Sequence, residues 1–461
     1  MTHRPPVAAS RSGCREFQRE TRLSRRTFLR AGALGAAGLT LSDLLRHESQ
    51  AAAANTERSV IILWMRGGPS QHETWDPKPN APAEYRGKFG ATSTAVPGIQ
   101  ICDLLPNCAK LMDKWSIIRS LYHTNAGHSA GDQILFTGHD PGLDPNVNVH
   151  PSCGSIVSEQ LGHLTPQLPP YVMIPRQVPG TDSAYLGVAH KPFETLEDPG
   201  VEGPFELKNF SLVEGISASR FNERRTLLAG FDQLRAQVDS SGQMEAVDKF
   251  QDQAWHILSS DKARDAFNLD AEPAHVRERY GFMPRYDPGA SNRCSAAAFS
   301  QRMLLARRLV EAGVRLVTVD CRWWDTHVEG FDSMENGFLP RWDQCYPALI
   351  QDLEERGMLK NTMVVAWGEF GRTPRVNTNR GRDHYPNVFN AALAGGPVEG
   401  GRVVGSSDAK GAFPLANPKT PQDVLSTMYR FLGIDESKHY LNNAGRPIRT
   451  LPFGQPIDEL G

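Results

Sequence analysis

Several things are scarce in this chain, and each scarcity narrows the reading. No apolar run approaches the ~18 uninterrupted residues that a membrane-spanning helix needs, so no integral membrane span is expected. Cysteine is sparse, seven in 461 residues, and no two form a CxxC pair, which argues against a zinc–thiolate site. Internal repeats and low-complexity tracts are absent beyond the N-terminal segment. Plentiful instead are glycine and proline, 41 and 33, which point to many loops rather than to a helical bundle.

The first 54 residues read as an export label rather than as part of the fold. Residues 1–30 carry eight Arg and only two acids, followed by the mildly apolar "AGALGAAGLTL" (Ala31 to Leu41) and small residues around Ala54. That order is the three-part pattern of an export signal. Arg25 and Arg26 in "SRRTFL" stand where a twin-arginine signal has its pair. This route carries folded proteins, often with their cofactor loaded, to the periplasm or beyond. Without residues 1–54, 41 basic and 48 acidic groups remain, a formal charge of −7. A nucleic-acid partner would want a basic face, so none is expected. Cys14 leaves with the signal. The other six allow one or two disulfides in an oxidising compartment, with Cys102–Cys108 sterically feasible, but fix no pairing.

Residues 55–461 read as one α/β domain. "SVIILWM" (Ser59 to Met65), "WSIIRSL" (Trp115 to Leu121), "VRLVTVD" (Val314 to Asp320) and Met363 to Trp367 are short apolar runs of buried-strand character. Helices are expected at Ala296 to Gly313, Arg341 to Leu359 and Thr420 to Gly433, each closed by a glycine signal or opened by a Thr/Pro start. Such alternation implies a mostly parallel sheet covered on both faces. Between about 217 and 281 the pattern is polar, helix-prone and strandless, and reads as a helical insertion.

Four clusters carry the chemistry. "GGPSQHETWDPKP" (Gly67 to Pro79) offers His72, Glu73 and Asp76, and "HTNAGHSAGDQILFTGHDP" (His123 to Pro141) offers His128 and Ser129. "DCRWWDTH" (Asp320 to His327) offers Asp325 and His327, and Met363 to Gly405 offers Glu369 with Asp383 and His384. Taken singly, each has a plainer explanation: a Gly-Gly-Pro turn, Ser129 as a helix cap, Asp-x-His as solvated loop, Trp323 and Trp324 as packing or a substrate wall. All four, however, fall at or just past strand C-termini, the edge where open α/β sheets build sites.

"GGPSQHETWDPKP", "GEFGRTP", "GRDHYP" and "GGRVVGSSD" resemble, in order, the signature segments of domain-of-unknown-function family 1501, from about Arg58 to the end. These are exported proteins of planctomycete-like bacteria in the alkaline phosphatase/sulfatase superfamily. The resemblance implies an alkaline-phosphatase-like α/β/α sandwich holding divalent metal. Its metal ligands would be Glu73, Asp325, His327, Glu369 and His384, and Asp383, side by side with His384, joins them as a candidate ligand on its own chemistry. His128 falls at the sulfatase nucleophile position, nine residues before Thr137, with Ser129 beside it. The chain departs from that pattern twice. Phe370 stands where the superfamily has an imidazole, which His72 or His128 would have to replace, and no "CxPSR" segment exists to make formylglycine. The attacking group is therefore Ser129, His128 or a metal-bound water.

Carboxylate and imidazole donors favour Zn²⁺ or Mn²⁺ over Ca²⁺. Arg372, Arg375, Arg380 and Arg382 add forked guanidinium groups suited to tetrahedral oxyanions, with Arg372 the catalytic candidate. The leading expectation is an exported metal-dependent hydrolase of sulfate or phosphate esters on small molecules or polysaccharides. The competing one is a non-catalytic glycan- or anion-binding protein on the same fold.

Overall fold

The computed structural model describes residues 58–203, 205–207 and 260–461. The expected export segment and most of the expected helical insertion lie outside the described residues. Eight strands, numbered in chain order, make the central sheet: β1 (Ser59–Trp64), β2 (Trp115–Leu121), β3 (Tyr171–Ile174), β4 (Phe193–Glu194), β5 (Leu316–Asp320), β6 (Thr362–Trp367), β7 (Phe389–Ala394) and β8 (Val403–Val404). Their spatial order is β8-β2-β7-β6-β1-β5-β3-β4. Only β7 runs antiparallel to its neighbours β2 and β6, and the remaining pairings are parallel.

A parallel strand covered on both faces must be apolar on both, and β1 shows why its sequence is an unbroken apolar run. Ile61 and Leu63 pack into one core, Val60, Ile62 and Trp64 into the other. The first core is closed by helices Ser300–Ala312 and Leu339–Glu355. The second is closed by helix α1 (His128–Thr137), Cys153–Leu161 and Pro421–Leu432. The last of these opens with a capping box in which Thr420 and Asp423 satisfy each other's backbone amides. The result is the expected α/β/α sandwich with a mostly parallel sheet.

The structure differs from the sequence expectations in three places. The strand expected from Val314 begins at Leu316. Strands β3, β4 and β7 stand where the sequence pattern predicts none. The described end of the insertion holds two short helices, Asp261–Phe267 and Ala274–Tyr280, whose Phe267 and Tyr280 join the first core. Finally, Cys102 and Cys108 form no disulfide: all six described cysteines are free and buried. No described helix is long and apolar enough to cross a membrane.

Candidate metal centre

Strands β6, β1 and β5 are adjacent and parallel, so the loops after them leave the same edge of the sheet. Glycine lets those loops close on one another. Gly67, at φ +108°, would place a Cβ only 2.4 Å from the Trp324 amide nitrogen and 2.5 Å from that of Asp325, so no larger residue fits. Its own N–H donates to both carboxylate oxygens of Glu369, at 2.8 and 3.1 Å.

Within this junction Asp325 Oδ1 is the focus. The Nε2 atoms of His384, His327 and His128 lie 3.0, 3.0 and 3.5 Å from it, and the Nε2 atoms of His327 and His384 are 2.9 Å apart. The donor atoms of His128, Asp325 and His384 all lie within 4.8 Å of one another. Each ring is held from behind at Nδ1: His128 by Glu369 Oε1 at 2.5 Å, His327 by Asp383 Oδ1 at 2.6 Å, His384 by the Ala126 carbonyl at 2.8 Å. A ring that donates from Nδ1 presents a lone pair at Nε2 when neutral. Three such lone pairs around one carboxylate oxygen repel unless a proton or a cation lies among them.

The proton affinities say the same. Burial pushes the His128 imidazolium down, but hydrogen bonds to Asp325 and Glu369 outweigh it and raise it to about 9. The hydrogen bond to Asp325 raises His327 despite burial. Burial would lift Asp325; the three imidazoles and Arg372 overcome it and hold the carboxyl far below the usual carboxylate range. Imidazole nitrogens with a shared carboxylate oxygen, backed by outer carboxylates, are a donor set that suits a divalent transition metal. The side chains of His128, Asp325 and His384 stay 20, 19 and 22% exposed, so a ligand can reach them from solvent.

The structure sorts the expected residues into different places. Asp325, His327 and His384 converge, and His128 joins them as a fourth donor, supplying an imidazole where Phe370 cannot. Glu369 and Asp383, expected as ligands, instead stand behind the His128 and His327 rings. Glu73, also expected as a ligand, is fully engaged elsewhere, its carboxylate in a buried fork with Arg382 (2.7–3.1 Å). His72 is outside the cluster too: its Nε2 faces the Lys410 carbonyl, and burial drives its pKa to about 4. Ser129 donates its hydroxyl to Asn146 at 2.9 Å.

The arginines likewise turn inward. Arg372 is wholly buried, donating to the carbonyls of Gly67, Gly68 and Arg382 and, at 2.7 Å, to Asp325 Oδ1. It clamps the shared carboxylate and has no free fork for a substrate. Arg380 pairs with Glu329 on the surface.

Two residues at the junction escaped the sequence reading. Asp132, one turn beyond His128 on α1, is buried, and its Oδ2 accepts from Arg66 Nε at 2.9 Å. Arg66 immediately precedes Gly67 at the end of β1. The i, i+4 spacing of His128 and Asp132 was the available signal, and an arginine at the strand end beside Gly-Gly was the other.

Residues 57–460 match the family described as "Protein of unknown function (DUF1501)". The chain belongs to the DUF1501 family. No curated protein matches its sequence. In fold this family member is similar to the phosphonate monoester hydrolase SpPMH from Silicibacter pomeroyi, at 10% identity and TM-score 0.39, over 87% of this chain and 76% of that one. It is also similar to BT1596, a 2-O GAG sulfatase, at 11% identity and TM-score 0.37, over 87 and 73% of the two chains. A third likeness is to Ps i-CgsB in complex with k-i-k-neocarrahexaose, at 10% identity and TM-score 0.38, over 82 and 72%.

Proposed function

We propose that this DUF1501 protein is an exported, divalent-metal-dependent hydrolase of sulfate or phosphate esters, acting on small molecules or polysaccharides. The observation that carries the proposal is the convergence of three back-anchored imidazoles on Asp325. His128, Asp325, His327 and His384 would hold one Zn²⁺ or Mn²⁺ ion. Such an ion supplies a positive charge that polarises a sulfuryl or phosphoryl oxygen and favours deprotonation of water.

The protein's own groups prepare that chemistry. Glu369 and Asp383 keep Nδ1 protonated in His128 and His327, so both rings offer Nε2. Arg372 fixes Asp325 in place. Phe370, 4.5 Å from the His384 ring and 5.2 Å from that of His128, walls one side against water. Ser129 is tied to Asn146 and every described cysteine is buried. This favours direct attack by water: its oxygen bonds to sulfur or phosphorus, the bond to the ester oxygen breaks, and the alcohol leaves with a proton.

Metal analysis of protein recovered from its native compartment, with assays on aryl sulfates and aryl phosphates, tests the reading. One equivalent of metal, lost in Asp325→Asn together with hydrolysis, is the expected result. Metal-free protein inert toward both ester classes would overturn it. One feature favours a second reading as a glycan- or anion-binding protein: no free side-chain nucleophile stands at the centre among the described residues, Ser129 being tied to Asn146. Stoichiometric metal with glycan binding and no turnover would select that reading.

A further inference from the structure

Beside the centre lies a second feature that the expected ligand set does not include. Arg66 leaves β1 next to Gly67, and its side chain is only 13% exposed. Its guanidinium carbon sits 4.7 Å from the Trp323 ring centroid, and that ring is 4.7 Å from the His128 ring. Nε is held by Asp132 Oδ2, whose side chain is fully buried. Among the described residues neither Nη amine of Arg66 has a hydrogen-bond partner, in contrast to Arg372 and Arg382, whose forks are closed by carbonyls and carboxylates. The other oxygen of the same carboxylate, Asp132 Oδ1, is buried without a partner. Arg66 is thus pinned at one nitrogen and stacked on one face of Trp323, the ring that also packs against His128, with its remaining four N–H donors uncommitted.

We propose that Arg66, seated on Trp323 and anchored by Asp132, forms the subsite that binds the non-bridging oxygens of a tetrahedral oxyanion, the sulfuryl or phosphoryl group of the ester. The chemistry follows from the parts. A guanidinium group fixed at Nε offers parallel N–H donors that match two oxygens of such an anion. An aromatic face behind it keeps the plane oriented without taking a donor. Asp132 restrains the arginine at Nε and leaves its Nη N–H donors for the ligand to meet. The proposal rests on the hydrolase reading only for the identity of the ester; the anion subsite itself is independent of turnover.

The test uses the intact exported protein with its native metal content, titrated calorimetrically with inorganic phosphate and inorganic sulfate. Arg66→Lys keeps the charge and a partner for Asp132 but removes the fork, and at least a fivefold loss of anion affinity is expected with metal content unchanged. Arg66→Ala combined with Asp132→Asn avoids an unpaired buried carboxylate and should lose tenfold or more. Trp323→Leu should lose less than either. If both Arg66 variants fold, retain metal and bind phosphate and sulfate as the parent does, the subsite is wrong. Failure of the hydrolase reading looks different: the parent protein would be inert or metal-free while anion binding still depended on Arg66.

Discussion

Arg382, Asp383 and His384 are consecutive, yet they serve two regions of opposite character. Arg382 turns into the interior and closes on Glu73, with 2 and 4% of the two side chains exposed. His384 turns to the solvent-reachable junction and shares Asp325 with two other imidazoles, while Asp383 braces His327. In the first region a permanent cation matches a carboxylate and nothing further is required. In the second, one carboxylate oxygen faces three nitrogens that are cationic only when protonated. The difference teaches that charge count does not mark a site: a closed guanidinium fork is structural, and a carboxylate ringed by back-anchored imidazoles leaves a place for an ion.

The comparison can be broken first on its closed side. Arg382→Met leaves Glu73 buried and unpaired, and should cost about 3–5 kcal/mol of stability, read by chemical denaturation, with metal content intact in the protein that remains folded. The effect has a defined pH dependence. Burial raises the Glu73 carboxyl, but Arg382 outweighs it and holds the folded value below 4.5. The pair's contribution is therefore fully present above that pH and fades as pH falls below it. The gap between parent and variant should shrink in acid; a gap that widens there contradicts the assignment.

On the open side, Asp325→Asn should lower metal affinity by ~100-fold or more, since loss of an outer partner alone reaches that size. Asp383→Asn removes only the brace on His327. Its effect should be about tenfold on metal affinity, measured by competition with a chelator. Ser129→Ala is the smallest: less than about twofold on hydrolysis, as expected for a half-buried position off the reacting centre. Abolished turnover in that variant would restore Ser129 as the nucleophile.

Much of the fold was legible because buried parallel strands announce themselves locally. β1 and β6 are nearly continuous apolar runs, β2 is rich in apolar residues, and the helix at Pro421–Leu432 carries its own cap in Thr420. β7 was not, because "FNAALA" is rich in alanine, a poor strand former; its place between β2 and β6 is decided by its neighbours. β3, only four residues long, lacks the length to stand out. For the site, Asp325, His327, Glu369, Asp383 and His384 were visible as polar groups just past strand ends. Their division into inner donors and outer braces was not, since all have suitable chemistry. Arg66 was hidden by its ordinariness: one arginine among many, distinguished only by which of its donors remain unengaged.

The sequence by itself determined the family, the alternation of strand and helix, and the edge of the sheet at which acids and imidazoles would gather. These follow from side-chain periodicity and from short motifs, which the chain carries wherever it goes. Only the tertiary structure decided that His128 completes the cluster, that Glu73 belongs to Arg382, and that Glu369 stands behind a ring. Those outcomes depend on ångström-scale distances between loops hundreds of residues apart, set by the close approach at Gly67 and by the packing of α1 against the sheet.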